Sequence, residues 1–235
     1  FPETGVKLQA NVYASHAKED KEGNVAEPKT FELTRPASQG IKELAPGNNF
    51  YTQKFKLNVS GLNTFDWKDS LTVMKFCSKC DCVALKGDSG FEDAACPKCN
   101  DPSWGVNRHP ILKFTGARSV MHSNDAALDD SSEDRDSENY IIKRHYMFRH
   151  TGATTSYAIR GVGFGIEFCN NMELYEVNYG MQMQSGSKVE VDNDTTVPQN
   201  GFVTCRYCGK STPILSGATL EDQHYKFCTH KDIAF

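Results

Sequence analysis

Several features that would announce a function are missing from this chain of 235 residues. No apolar run approaches the ~18 residues of a membrane-spanning helix, so no membrane contact is expected. A basic surplus is missing too. Lys and Arg number 26 against 30 Asp and Glu, a net charge of −4, whereas dedicated nucleic-acid binders are usually basic. Any contact with nucleic acid must therefore be local. The opening "FPETGVKLQA" has no initiator Met, basic n-region or apolar h-region. No signal peptide is visible, and a cytoplasmic location is expected. The Phe-Pro start and the "DIAF" end read as a piece excised from something longer.

Nucleotide-binding loops are missing as well. "CGKST", Cys208 to Thr212, holds a Gly-Lys-Ser, but the phosphate-binding pattern needs a Gly five residues before Gly209, where Thr204 stands. "GVGFG", Gly161 to Gly165, lacks the third Gly of a dinucleotide fingerprint, because Ile166 occupies its place. It reads instead as a strand with a bulge or a close backbone approach. With neither loop, the chain is expected not to be an enzyme.

Cysteine, by contrast, is plentiful. Five of the nine lie between Cys77 and Cys99. The count is odd, and a chain of this length buries a core without staples, so a disulfide framework is not expected. A thioredoxin-like redox centre needs one C-x-x-C in a βαβ setting, not three arranged as partners. Cys77-x2-Cys80, then fifteen residues, then Cys96-x2-Cys99 is the four-cysteine zinc pattern. Two residues between ligands let one tight turn aim both sulfurs at a single ion. Two such turns complete a tetrahedron with Zn–S near ~2.3 Å. The residue after each second cysteine often needs a left-handed backbone. Asp81 and Asn100 stand there, and Asp and Asn are the non-Gly types that tolerate it. Pro97 stiffens the second turn, and Cys82 reads as a strand residue just past the first.

The theme returns near the C-terminus. Cys205-x2-Cys208 is followed by fifteen residues and then His224-x3-Cys228, with Gly209 at the left-handed place. The predicted second set is Cys205, Cys208, His224 and Cys228. His230, two residues past Cys228, is the alternative to His224. Neither set shows an obvious water position or a Glu placed as a general base, so two structural Zn2+ ions are expected. Cys169 reads as a buried, unligated core cysteine.

The expected fold class is β-rich α+β, with small mixed or antiparallel sheets and two zinc-ribbon-like modules. "VKLQANVYA", "NNFYTQKFKLNV", "HPILKFTGA", "YIIKRHYMFRH", "YAIRGVGFGIEF" and "MELYEVNYG" are β-branched or aromatic runs bounded by turn residues. Four segments are expected. Residues 1–70 are β-rich with a short helix at 37–45, stopped by Pro46 and Gly47. Residues 71–115 form the four-cysteine zinc ribbon, 116–200 a second β-rich segment, and 201–235 the second zinc module, where "TLEDQHYKF" forms another short helix. "DDSSEDRDSE", 129–138, has six acids, one Arg and no apolar residue. It reads as a solvated loop, without EF-hand spacing. In "YIIKRHYMFRH" the residues Lys143, Arg144, Tyr146 and Arg149 mix cations with aromatic rings, which suits phosphate contact and base stacking. The bland reading is a sheet strand with one solvated face and His145 and His150 at the surface.

"RPASQGIKELAPGNNFY", Arg35 to Tyr51, resembles a segment of large superfamily-2 helicases that carry an MrfA-type zinc-binding region (DUF1998). In that family a four-cysteine module follows, as at Cys77 to Cys99. A strand ending like "LYEVNYG", Leu174 to Gly180, comes next, and then a C-x2-C-G turn and an H-x3-C end, as at Cys205 to Cys228. The order of the four pieces matches over most of the chain. The relatives include DNA-repair helicases and proteins of bacterial anti-phage systems such as DISARM and Druantia. The resemblance implies a non-catalytic, zinc-stabilised accessory region that guides a DNA strand or docks a partner. It also implies a helicase motor, on the same or another chain, as partner. The alternative is a protein-interaction platform whose zinc only fixes its shape. The ATP-binding motor motifs are missing from this chain, and the acidic run at 129–138 has no counterpart in the family pattern.

Overall fold

The computed structural model describes residues 5–13, 28–52, 55–127, 140–148, 155–169, 171–181, 188–192, 195–198, 201–213 and 224–230. Its strands in chain order are β1 (Gly5–Tyr13), β2 (Lys29–Pro36), β3 (Asn49–Thr52), β4 (Phe55–Asn58), β5 (Gly61–Leu62), β6 (Leu71–Phe76), β7 (Val83–Leu85), β8 (Arg108–Leu112), β9 (Gly116–His122), β10 (Tyr140–Phe148), β11 (Thr155–Ala158), β12 (Gly165–Phe168), β13 (Met172–Met181), β14 (Lys188–Asp192), β15 (Thr195–Pro198), β16 (Phe202–Thr204) and β17 (Ser211–Pro213). Among the described residues, helix is confined to α1 (Ala37–Glu43), α2 (Trp67–Ser70), α3 (Ser123–Ala126) and a 3-10 turn at Pro102–Gly105. The fold is β-rich with several small, mostly antiparallel sheets, as the sequence predicts. No helix among the described residues is long and apolar enough to cross a membrane.

One mixed sheet, in the order β2-β1-β9-β5, organises the principal core. β1 pairs antiparallel with β2 and parallel with β9. Its sequence alternates strictly. Val6, Leu8, Ala10 and Val12 are all at most 4% exposed, while Lys7, Gln9 and Asn11 take the other face. The buried face packs against Leu44, Phe50, Leu57 and Val59. Each such aliphatic or aromatic side chain contributes about 1.5–3 kcal/mol when fully buried. α1 lies where the sequence places a helix. It closes at Leu44, whose N–H bonds to the Gly40 carbonyl, and the chain then turns through Gly47 at φ 102°.

Two runs fold differently from expectation. "NNFYTQKFKLNV" is a hairpin, with Asn49 opposite Asn58 and Thr52 opposite Phe55. "GVGFG" is no bulged strand. It belongs to the loop of the β11–β12 hairpin, where Gly161 has φ 82° and the Ile159 N–H bonds to the Phe164 carbonyl. The acidic run 129–138, with Arg149, His150 and most of the predicted C-terminal helix, lies outside the described residues. The described part of that helix, 224–227, is a turn.

The chain forms two compact units, neither of them continuous in sequence. The first comprises Phe1–Leu71, Leu112–Ile142 and Asn178–Phe235, and the second Thr72–Ile111 and Lys143–Val177. The first unit holds the mixed sheet and the Cys205–Cys228 module, and the second holds the Cys77–Cys99 module.

Candidate metal centres

All three C-x-x-C turns share one backbone pattern. The N–H of the first cysteine bonds to the carbonyl five residues on: Cys77 to Cys82 at 2.9 Å, Cys96 to Asp101 at 3.0 Å, Cys205 to Lys210 at 2.9 Å. The chain reverses at the residue after the second cysteine, which is left-handed in each case: Asp81 at φ 58°, Asn100 at φ 59° and Gly209 at φ 75°. In the latter two turns that residue's N–H returns to the first cysteine's carbonyl, at 2.8 Å from Asn100 and 2.9 Å from Gly209. Sequence reasoning found all three positions, because the steric penalty on φ > 0 is local to the residue.

The turns bring the predicted ligands together. Cys77, Cys80, Cys96 and Cys99 form one set and Cys205, Cys208, His224 and Cys228 another, with the ligand atoms of each set within 4.8 Å of one another. Either set could hold a metal ion. The sulfurs stand 3.5 Å apart for Cys77–Cys99, 3.7 Å for Cys80–Cys96 and 3.9 Å for Cys205–Cys228. A disulfide requires about 2.05 Å. The edge of a tetrahedron with a 2.3 Å metal–sulfur bond is about 3.8 Å, which is the spacing seen. His224 is 4% exposed, and neither of its ring nitrogens has a hydrogen-bond partner among the described residues. A buried imidazole without partners is costly unless one nitrogen meets a cation. His224 is therefore the histidine placed to offer a fourth ligand to the second set. His230 is exposed and stacks on Tyr207 at 3.9 Å instead.

Burial acts on the acidity of these thiols. Burial pushes the Cys77 thiol up to about 11 and the Cys80 thiol higher still. At Cys99 burial also raises the value, but the Asp101 N–H and the neighbouring sulfurs bring it below the ordinary thiol value. Buried thiols of this kind ionise outright when they coordinate a divalent ion. Cys82 is the sulfur left over. It is 3% exposed, is pushed up to about 12 mainly by burial, and packs beneath the four-cysteine set beside Cys96 without belonging to it. Behind this set, Trp104 is completely buried and donates from Nε1 to the Gly90 carbonyl at 3.0 Å. Cys169 departs from expectation: it is half-buried after β12, whose residues are all exposed, rather than a core residue.

The second set is seated on the mixed sheet through two glycines. Leu62 N–H bonds to the Gly209 carbonyl at 2.7 Å, and Ser211 N–H to the Ser60 carbonyl at 3.0 Å. A Cβ on Gly61 would stand 2.6 Å from the Gly209 carbonyl oxygen, and a Cβ on Gly209 would stand 2.3 Å from the Leu62 carbonyl oxygen. The Ser60 and Tyr225 hydroxyls share a hydrogen bond at 2.7 Å.

The β10 residues read as nucleic-acid candidates are engaged within the second unit. Lys143 is ion-paired with Asp81 at 2.7 Å and its side chain is 11% exposed. Arg144 is ion-paired with Glu176 at 2.8 Å. Tyr146 donates to the Cys80 carbonyl and packs against the four-cysteine set. His145, expected at the surface, is 2% exposed, and burial holds its imidazole down at about 4. The strand runs beside the Cys77–Cys80 turn, with Cys82 bridging to Tyr146, and this long-range pairing is invisible in a local pattern.

Comparison with protein-family models, with curated proteins and with solved structures returned no match.

Proposed function

We propose that the chain is a zinc-stapled, non-catalytic accessory region of a superfamily-2 helicase-type protein acting on DNA, in repair or anti-phage defence. In that role it guides a strand or docks a partner to the motor. The observation that carries the zinc part is the pair of four-ligand sets at tetrahedral spacing. Four protein ligands close each site, as in structural rather than catalytic zinc. Each ion would supply folding free energy and hold two turns together. The chain's own contribution is to aim the sulfurs, through the left-handed residues Asp81, Asn100 and Gly209. What supports the helicase part is the order of the quoted segments and a contact between two of them. Asn178 of "LYEVNYG" donates from Nδ2 to the Ile41 carbonyl of "RPASQGIKEL" at 2.9 Å. It also accepts at Oδ1 from the Gly180 N–H.

A second reading, docking to protein without nucleic-acid contact, has its own supporting observation. The β11–β12 hairpin exposes Tyr157, Ile159, Val162, Phe164, Ile166 and Phe168, each by 50–63%. Contiguous exposed apolar surface of this kind marks interaction sites.

Fluorescence anisotropy of the full chain with a labelled single strand, at low and high salt, separates the readings. Weak binding with a log–log salt slope of about −2 to −3 is expected, because few cations are available to release counterions. No binding at any salt would transfer the proposal to protein docking. ATP turnover by the purified chain would overturn the non-catalytic assignment.

A further inference from the structure

We infer that the outward face of the β1–β9 ladder, beside the second metal centre, is a cleft for single-stranded nucleic acid. It seats one base between the Phe227 ring and the amides of Gln9 and Asn11, with the adjoining phosphate on Arg118. The cleft has a volume of about 230 Å³ and is lined by these four residues with Tyr225 and Val120 among others. It follows from the alternation of β1, which buries Leu8, Ala10 and Val12 and so sends Gln9 and Asn11 to the opposite face. The parallel register sets Gln9 opposite Arg118, and a guanidinium and an amide therefore share the floor. Among the described residues no carboxylate is ion-paired with Arg118.

The wall is aromatic and open. Phe227 lies nearly parallel to Tyr225, with centroids 5.2 Å apart and planes at 13°. Tyr225 is 8% exposed but Phe227 is 66% exposed, so the stack leaves a ring available to a third. A second platform, Tyr207 on His230 at 3.9 Å, belongs to the same module, and Tyr207 is 52% exposed. Cations accompany these rings in the described part of the module. Residues 201–213 and 224–230 include Arg206, Lys210 and Lys226 and no Asp or Glu. Exposed rings interleaved with cations are what a flexible strand needs: stacking for its bases and counter-charge for its backbone. The amides add hydrogen-bonding groups for a base edge, which an apolar peptide side chain would leave unpaired. One acid borders this face: Glu32 stands opposite Gln9 on β2, where it is ion-paired with Lys7 and not with Arg118.

The inference rests on the DNA-contact part of the proposed function and not on its helicase part. The test uses the full zinc-loaded chain and a labelled oligothymidine of about fifteen nucleotides, a length suited to one such groove. Phe227→Ala is expected to weaken binding about tenfold and leave the salt slope unchanged, because a stacked ring releases no counterion. Arg118→Ala is expected to weaken binding and flatten the slope by about 0.7, one phosphate contact on a single strand. Zinc content equal to wild type establishes that both variants fold, and Phe227→Trp is expected to retain affinity. If wild type binds and both alanine variants bind equally well, the site is wrong while the DNA reading stands. If wild type binds no strand at all, both fall. If thymidine monophosphate competes as effectively as the strand, the cleft is a mononucleotide pocket and the strand assignment is overturned.

Discussion

Replacing Gly209 by Ala tests the geometry of the second metal centre at its tightest point. Two independent constraints act there. The backbone is left-handed, at φ 75°, and an added Cβ would stand 2.3 Å from the Leu62 carbonyl oxygen. For an L-residue the left-handed conformation costs roughly 1–2 kcal/mol. A less flexible unfolded chain returns about 0.4–1 kcal/mol. The clash cannot be relieved by rotating a side chain, because the obstructing atom is backbone. The sheet must withdraw and lengthen the Leu62 N–H to Gly209 bond, now 2.7 Å, worth about 0.5–1.5 kcal/mol. A net loss of roughly 2–4 kcal/mol follows once the displaced packing is included. Since Cys208 is the adjacent residue, much of this appears as weaker metal binding, on the order of 30- to 1,000-fold at 1.36 kcal/mol per decade. Zinc competition with a chromophoric chelator measures it, and denaturant unfolding measures the stability. Gly87→Ala separates the two constraints. Gly87 has φ 99° with nothing within 4 Å of an added Cβ, so only the conformational part should register. If Gly209→Ala proved no more damaging than Gly87→Ala, the close approach to Leu62 would be refuted.

Elemental analysis of reductant-treated protein is expected to give about two zinc ions per chain, one per four-ligand set. Cys77→Ser or Cys99→Ser should release one ion, whereas Cys82→Ser and Cys169→Ser should release none; metal loss in Cys82→Ser would show that the fifth sulfur ligates. A second expectation concerns pH. His145 is held at about 4 by burial against an ordinary 6.5, so the unfolded chain binds the proton more readily between those values. The stabilising effect of keeping it neutral is complete above pH 6.5 and is lost as the pH falls towards 4, by roughly 3 kcal/mol at 1.36 kcal/mol per pH unit. Urea unfolding across this window should show the slope in wild type and its loss in His145→Gln. A variant that kept the full slope would place the titration elsewhere.

The sequence by itself determined what depends on a few adjacent residues. The C-x-x-C turns need a left-handed residue after the second cysteine, and Asp81, Asn100 and Gly209 stand there because few residue types tolerate φ > 0. The alternation of β1 and the stop of α1 are equally local. So is the grouping of the ligands, since matched spacings let one turn supply a pair of sulfurs. What lies further apart was decided only by the tertiary structure. Nothing in "GARSVMH" reveals that β9 is the parallel neighbour of β1, about a hundred residues earlier, yet that pairing sets Gln9 opposite Arg118 and creates the cleft. His145 and Arg144 look alike in a basic strand. One is buried and neutral and the other is exposed and ion-paired, because β10 runs beside the Cys77–Cys80 turn and not alone in water. Tyr157 to Phe168 reads as a single strand until Gly161 turns it into a hairpin with its apolar residues in solvent. Local sterics act within one or two residues and leave a mark on residue type. Pairing and burial depend on which distant segments close the loop between them, and no single segment encodes its partner.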